Sequence, residues 1–128
     1  MENVNPNELS SLSLAYIGDA VWECKVREAL LSKKFHHSKF VVEVKKHVNA
    51  KAQNIIYNDI IGSADEKDYE VAKRARNTNI KSYPKSCTPA EYRNATAFEA
   101  LVGYYYFTER EELIDKLIQK YILLKGEE

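Results

Sequence analysis

The chain has few of the residues that interrupt helices or cross-link a fold: its 128 residues include four glycines, three prolines and two cysteines. Cys24 and Cys87 lie far apart without a CxxC or zinc-like spacing, so we expect plain thiols in a reducing compartment. No apolar run approaches the ~20 residues that span a bilayer. Residues 1–6 lack the basic start and the apolar core of a signal peptide. These absences predict a cytoplasmic protein with no membrane partner.

The chain also lacks net charge, because 19 basic residues balance 19 acidic ones, but the charges are segregated. Residues 1–24 carry four acids and no base, and residues 54–70 are again acidic. Residues 25–51 carry eight lysines or arginines against two acids, and residues 71–93 carry six against one. A single basic block is usually a solvated helix face. Two such blocks favour a local cationic surface that binds a phosphate backbone.

Helix signals are abundant. The sequence predicts a first helix over about residues 7–31 and a second, capped by Ser38, that runs to about Ile60. Ser or Thr followed three residues later by Glu, at 63–66, 88–91 and 108–111, is typical of capping boxes. We expect these boxes to open three more helices, the first ending near residue 76 and the last near residue 124. Residues 77–87 are predicted to form a loop. No strand pattern occurs, so we predict an all-α single domain over residues 1–128 with about five to seven helices.

Two acidic residues stand in otherwise apolar, small-residue helical segments. Asp19 lies within LAYIGDAV and Glu99 within AFEALVGY. On a helical period each acid falls in the stripe expected to face the core or another helix, and glycines and alanines nearby would let two helices approach closely. Buried carboxylates are costly unless they are paired or bound to a cation. The pair predicts a shared site for Mg²⁺ or Mn²⁺, while a structural salt bridge or cap remains the alternative for either acid alone.

Both acidic segments resemble motifs of a known family. Residues 14–23, LAYIGDAVWE, resemble the hallmark motif of the ribonuclease III family, and residues 96–104, TAFEALVGY, resemble its second acidic motif. Residues 74–77, RARN, are similar to the basic loop of the Mini-ribonuclease III subfamily, which consists of the catalytic domain without a double-stranded-RNA-binding domain. The resemblance covers about residues 6–125, which is nearly the whole chain.

The chain departs from full-length family members at three positions. Those members place an acid one turn before each key residue, where this chain has Ala15 and Thr96, and a further glutamate where it has Leu12. The Mini-ribonuclease III subfamily lacks these acids as well, so the departures favour the subfamily. Thr96 and Glu23 are candidate residues to support the metal ligands. Glu23 has an alternative role, a surface salt bridge with Arg27 at i+4.

The resemblance implies an endoribonuclease that hydrolyses double-stranded RNA with Mg²⁺, or Mn²⁺, and leaves 5′-phosphate and 3′-hydroxyl ends. Asp19 and Glu99 would be its catalytic and metal-binding residues. Cutting both strands implies a homodimer, for which Trp22, Tyr16 and Tyr105 are the candidate interface residues. Burial in the core is the alternative for these aromatic residues. The resemblance further implies maturation of the ends of 23S ribosomal RNA precursor, with a ribosomal protein or the pre-ribosome as a further candidate partner. The alternative is a non-catalytic module of the same fold that binds duplex RNA.

Duplex RNA is recognised by its shape, through phosphates and 2′-hydroxyls, which suits basic residues spread over two segments. The candidate RNA-binding residues fall on the predicted loop and on the predicted second helix. Those near or on the loop are Arg74, Arg76, Asn77, Lys81 and Lys85. Those on the helix are Lys45, Lys46 and Lys51. Arg76 and Asn77 are the strongest candidates, because they lie in the segment that resembles the family.

Overall fold

The computed structural model describes residues 4–124, which form six α-helices and no strand. The helices are α1 Ser11–Leu31, α2 His37–Lys45, α3 Ala50–Ile60, α4 Glu66–Arg76, α5 Pro89–Phe107 and α6 Glu111–Ile118. The all-α prediction is confirmed for this part of the chain. Residues 1–3 and 125–128 of the predicted domain, including the start of the segment compared with a signal peptide, lie outside the described residues. Within residues 4–124 no helix is both long enough and apolar enough to cross a membrane.

Helix α5 is the centre of the fold, and α1, α3 and α4 pack against it. Its residues from 94 to 105 are buried except for Glu99, which is half-buried, so nearly every face of this stretch contacts another element. The rings of Trp22 on α1 and Phe98 on α5 meet edge to face with centroids 4.9 Å apart, and both side chains are fully buried. The core therefore forms around the α1–α5 contact, which is also the contact that carries the two acids.

Two helix boundaries differ from the prediction. The first helix begins at Ser11, because the hydroxyl of Ser10 accepts a hydrogen bond from the Ser13 amide at 3.1 Å. A separate 3₁₀ turn covers Pro6–Glu8. The predicted second helix is in fact two helices, and Ser38 does not cap it. Asn49 starts α3 by accepting from the Ala52 amide at 2.9 Å, and its own amide donates to the carbonyl oxygens at the end of α2.

One of the three predicted capping boxes is confirmed. At the start of α5 the Glu91 amide donates to the Thr88 hydroxyl at 3.1 Å, and the Thr88 amide donates to the Glu91 carboxylate at 2.8 Å. The box at Ser63 was wrong, because Asp65 caps α4 by accepting from the Asp68 amide. The box at Thr108 was also wrong, because that hydroxyl donates to the Tyr104 carbonyl at the end of α5.

The polypeptide between α5 and α6 is fixed by an ion pair rather than by a cap. The Arg110 guanidinium binds the buried Asp68 carboxylate on α4 through two hydrogen bonds of 2.9 Å each. After α6 the backbone continues as a π-helical segment, Gln119–Leu123, close to the predicted end of the last helix. Residues 77–87 form no helix or strand, as predicted.

Candidate active site

Helices α1 and α5 cross with their backbones in contact. A Cβ atom placed on Gly18 would overlap the Glu99 carbonyl oxygen, and one on Gly103 would overlap the Leu14 carbonyl oxygen. Only glycine is compatible with this separation at either position. The prediction that small residues let the two helices approach closely is confirmed, and the crossing lies directly beside both acids.

The crossing brings Asp19 and Glu99 together. The two carboxyl groups interact, and the pKa of Glu99 is raised to about 9, first by burial and then by hydrogen bonding to Asp19 and by the charge of Asp19. Asp19, however, is exposed rather than placed within the buried stripe of α1. The buried positions of that helix recur every four residues, from Leu14 through Gly18 to Trp22, and Asp19 lies at the edge of this stripe. The two acids meet where the helix contact opens to solvent.

A half-buried carboxyl group beside a second carboxyl group is stable only if it holds a proton or if a cation lies between the two groups. Oxygen ligands on two rigid helices suit a hard divalent cation such as Mg²⁺, which keeps several of its waters and needs few protein ligands. Among residues 4–124 no group of three or more His, Cys, Asp or Glu side chains is arranged to hold a metal ion. The donor set of this site therefore comprises two carboxylates, and the groups around them decide how well they bind.

Gln53 on α3 is the third polar group at this position. Its side chain is 2 % exposed, and its amide faces Glu99, where it lowers the pKa of that carboxyl group against the larger raising effects. Thr96 is also buried, but its hydroxyl donates to the Tyr92 carbonyl oxygen at 3.0 Å on its own helix. Glu23 forms the alternative contact, a salt bridge of 2.8 Å with Arg27. Of these groups, Gln53 is the one whose amide acts on the acid pair.

The three aromatic residues predicted for a dimer interface are in different environments. Trp22 is fully buried, and its indole nitrogen donates to the His47 carbonyl oxygen at 3.1 Å. Tyr105 is 8 % exposed, and the Arg110 guanidinium lies over its ring. Both residues belong to the core of the protomer, which is the alternative that the sequence left open for them. Tyr16 is 79 % exposed one turn before Asp19, and for it the interface role remains a prediction.

Arg76 is the predicted RNA-binding residue that hydrogen-bonds to a buried side chain. Its Nε atom donates to the Asn94 side chain at 2.6 Å, and Asn94 donates to Asn54 at 2.8 Å. This chain of side chains links α4, α5 and α3, and it holds Arg76 through Nε rather than through its two terminal nitrogens. The other predicted residues are exposed: Arg74, Asn77, Lys81, Lys85, Lys45, Lys46 and Lys51.

The lysines predicted to share one helix are divided by the break at Asn49. Lys45 ends α2, and Lys51 lies on α3. Lys46, between the two helices, pairs with Glu43 at 3.1 Å. Their placement on one continuous helix was therefore wrong, and their role in RNA binding stays a prediction.

Sequence reasoning missed Arg93, which fixes the start of the loop. Its NH1 atom donates to the Arg76 carbonyl at 2.9 Å and reaches the Thr78 carbonyl at 3.4 Å. Its guanidinium lies 5.7 Å from the centre of the Tyr83 ring, and that ring packs edge to face on Tyr92. The signal in the sequence was a cation in the first turns of a helix rich in apolar residues. The missed contact shows that the loop is attached to the same helix that carries Glu99.

The fold and site together define an all-α domain with a paired-carboxylate site at a helix crossing. Residues 12–110 match the ribonuclease III domain. The chain therefore belongs to the ribonuclease III family, a family of endoribonucleases, as the resemblance predicted.

The chain is similar to several proteins along nearly its whole length. It is 45% identical over 122 residues to a Mini-ribonuclease 3-like protein of Ilyobacter polytropus, covering 95% of this chain and 96% of that protein. It is 38% identical over 123 residues to Mini-ribonuclease 3 of Symbiobacterium thermophilum, covering 93% and 92%. A crystal structure of a Fusobacterium nucleatum protein superposes with a TM-score of 0.86 at 43% identity, covering 94% of this chain and 96% of that one.

Proposed function

We propose that this protein is a metal-dependent endoribonuclease that hydrolyses both strands of an RNA duplex. The observation that carries the proposal is the meeting of Asp19 and Glu99 at the α1–α5 crossing, in a chain of the ribonuclease III family. A divalent cation between the two carboxylates would supply Lewis acidity for a hydrolytic water and positive charge for the scissile phosphate. The products would carry 5′-phosphate and 3′-hydroxyl ends.

The residues of the chain divide the remaining work between them. Glu99 lies on a buried helix, whereas Asp19 is exposed, so a cation held by the pair would be accessible to a phosphate from the solvent side. Arg76 on α4 is fixed through its Nε atom to Asn94 on α5, the helix that also carries Glu99. It therefore presents a cation next to that helix. A positioned arginine suits phosphate recognition because its planar group retains two terminal nitrogens for the phosphate oxygens. The exposed lysines on the loop and on α2 and α3 would add an electrostatic attraction to the RNA backbone, which salt screens.

We further propose that the active form is a homodimer with two such sites related by a two-fold axis. Support comes from Leu12 and Tyr16, two large apolar side chains of α1 that are 53% and 79% exposed. They lie one turn apart on the helix that carries Asp19, so a contact between copies there would place the acid pairs of both subunits near one another. A Tyr16→Glu variant that still sediments as a dimer would contradict this contact.

The proposed substrate is the stem formed by the two ends of 23S ribosomal RNA precursor. Support comes from the relatives named Mini-ribonuclease 3. It also comes from the resemblance to that subfamily, which implies no acids at the positions of Ala15 and Thr96. The pre-ribosome or a ribosomal protein is the proposed setting, and the cytoplasm is the proposed location. A non-catalytic module that binds duplex RNA is the rival function.

A cleavage assay separates these functions. End-labelled RNA stems, one from a 23S precursor and one unrelated duplex of equal length, are incubated with Mg²⁺ or with EDTA. Wild type should cut in the presence of Mg²⁺ and not in EDTA, and it should prefer the precursor stem. Glu99→Gln should bind but not cut, with its helix content checked by circular dichroism. Glu112→Gln, which removes an exposed acid at the start of α6, is the matched control. Binding without cutting by all three proteins, unchanged by EDTA, would establish the rival function.

A further inference from the structure

The side-chain amide of Gln53 is a polar group that lies in the core. It is 2 % exposed on the face of α3 that packs against α5. Its Nε2 atom has no hydrogen-bond partner, and it is the sole buried side-chain nitrogen or oxygen of which this holds within residues 4–124. An unmade hydrogen bond in the interior costs more than a made one contributes, so such groups call for a functional explanation.

The surroundings of Gln53 fix where that amide points. Its neighbour Asn54 accepts a hydrogen bond of 2.8 Å from Asn94, which holds this turn of α3 against α5. The Gln53 amide then faces the Glu99 side chain, five residues further along α5 than Asn94. The amide lies near the carboxyl group, but Nε2 makes no completed hydrogen bond to it. A leucine would fill the same space in the core without leaving a polar atom unpaired.

A carboxylate that binds a metal ion through one oxygen retains lone pairs on its second oxygen. Proteins commonly satisfy that oxygen with a neighbouring donor, which fixes the orientation of the ligand. The need is greater here, because the described residues offer two carboxylates to a cation and no third acid. Asp19 is exposed, so the orientation of Glu99 determines how far the pair is preorganised.

We infer that Gln53 positions Glu99 for cation binding, by donating from Nε2 to the carboxylate oxygen that the cation leaves unligated. The inference rests on the proposed function, because it assigns a role toward the metal site proposed above. Gln53 is a positioning residue, since it acts through Glu99 and contacts neither the cation nor the RNA. Its donor has no acceptor among the described protein atoms and would gain one when the cation orients the carboxylate.

Mn²⁺ binding to the RNA-free protein tests the inference, with free Mn²⁺ measured by its electron paramagnetic resonance signal. Gln53→Met removes the donor and keeps the length of the side chain, and it should weaken Mn²⁺ affinity by about 10-fold to 100-fold. Its free energy of unfolding in EDTA should not fall, because the substitution removes an unpaired donor. Ile55→Met, at an exposed position of α3, is the control.

The outcomes separate this inference from the proposed function. If Glu99→Gln loses Mn²⁺ binding while Gln53→Met binds as wild type does, the metal site stands and the role of Gln53 is refuted. If Glu99→Gln also binds Mn²⁺ normally, the metal site itself is refuted. Gln53→Leu repeats the measurement if Gln53→Met does not fold.

Discussion

Replacing Glu99 with glutamine should make the stability of the cation-free protein less dependent on pH. Burial, and then the adjoining Asp19 carboxyl group, raise the pKa of Glu99 from 4.5 to about 9. At neutral pH the folded protein therefore keeps a proton that the unfolded chain has released. Because the unfolded state then binds fewer protons, the free energy of unfolding falls as the pH rises from 4.5 toward about 9, and the loss is complete above that value.

The size of the effect follows from the same two pKa values. Each pH unit inside the window lowers the free energy of unfolding by about 1.4 kcal/mol. Between about pH 5 and about pH 8 the wild-type protein would lose up to about 4 kcal/mol relative to a variant whose amide does not titrate. Glu99 is not completely enclosed, and screening by water reduces this figure, so we expect a difference of about 2 to 4 kcal/mol.

Urea unfolding followed by circular dichroism measures this difference. Wild type, Glu99→Gln and the control Glu112→Gln are unfolded in EDTA at both pH values. Comparison with the variant cancels the titration of every other group. If wild type and Glu99→Gln change in parallel between the two pH values, the burial and pairing of Glu99 described above are wrong. Mn²⁺ added at the higher pH should stabilise wild type and not Glu99→Gln, because a ligand stabilises only the state that binds it.

Two further substitutions test the crossing and the proposed RNA contact. Gly18→Ala should lower the free energy of unfolding by about 3 kcal/mol, since its Cβ would overlap a backbone carbonyl of α5. Gly62→Ala, where nothing lies within 4 Å of the new atom, should change it by less than about 1 kcal/mol in the same denaturation series. Arg76→Ala should weaken duplex RNA binding in EDTA and lower the slope of log affinity against log salt by about 1, measured by fluorescence anisotropy. An unchanged slope would mean that Arg76 contacts no phosphate, and Lys85→Ala serves as a comparison at an exposed loop position.

The sequence predicted a helix boundary correctly where residues close together in the chain determine it. Thr88 and Glu91 satisfy each other within one turn, so the sequence specifies that helix start without help from the rest of the chain. The division of the predicted second helix at Asn49 could not be read in this way. The turn before Asn49 is held from outside, because the Trp22 indole donates to the His47 carbonyl oxygen from another helix.

The charged residues of the site could be predicted from the sequence. An acid in an apolar helical stripe is unusual enough to be noticed, and this drew attention to Asp19 and Glu99. Gln53 and Asn94 are both buried, but uncharged amides are common on helices and carry no such signal. Their importance comes from the packing of α3 on α5, which the sequence does not specify by any local pattern. The same limit explains why the sequence left open whether Trp22 lies in the core or at an interface.

The contact at Gly18 and Gly103 has a consequence for how this protein tolerates change. Main-chain atoms touch main-chain atoms at that point, so no side chain intervenes whose replacement would alter the distance between the two helices. The distance between the two acids therefore does not depend on how well the side chains pack elsewhere in the fold. Substitutions around α2 or α6 can raise or lower the melting temperature while the two carboxylates keep their separation. An engineer could therefore optimise the heat resistance of the chain and the composition of its site as two independent problems.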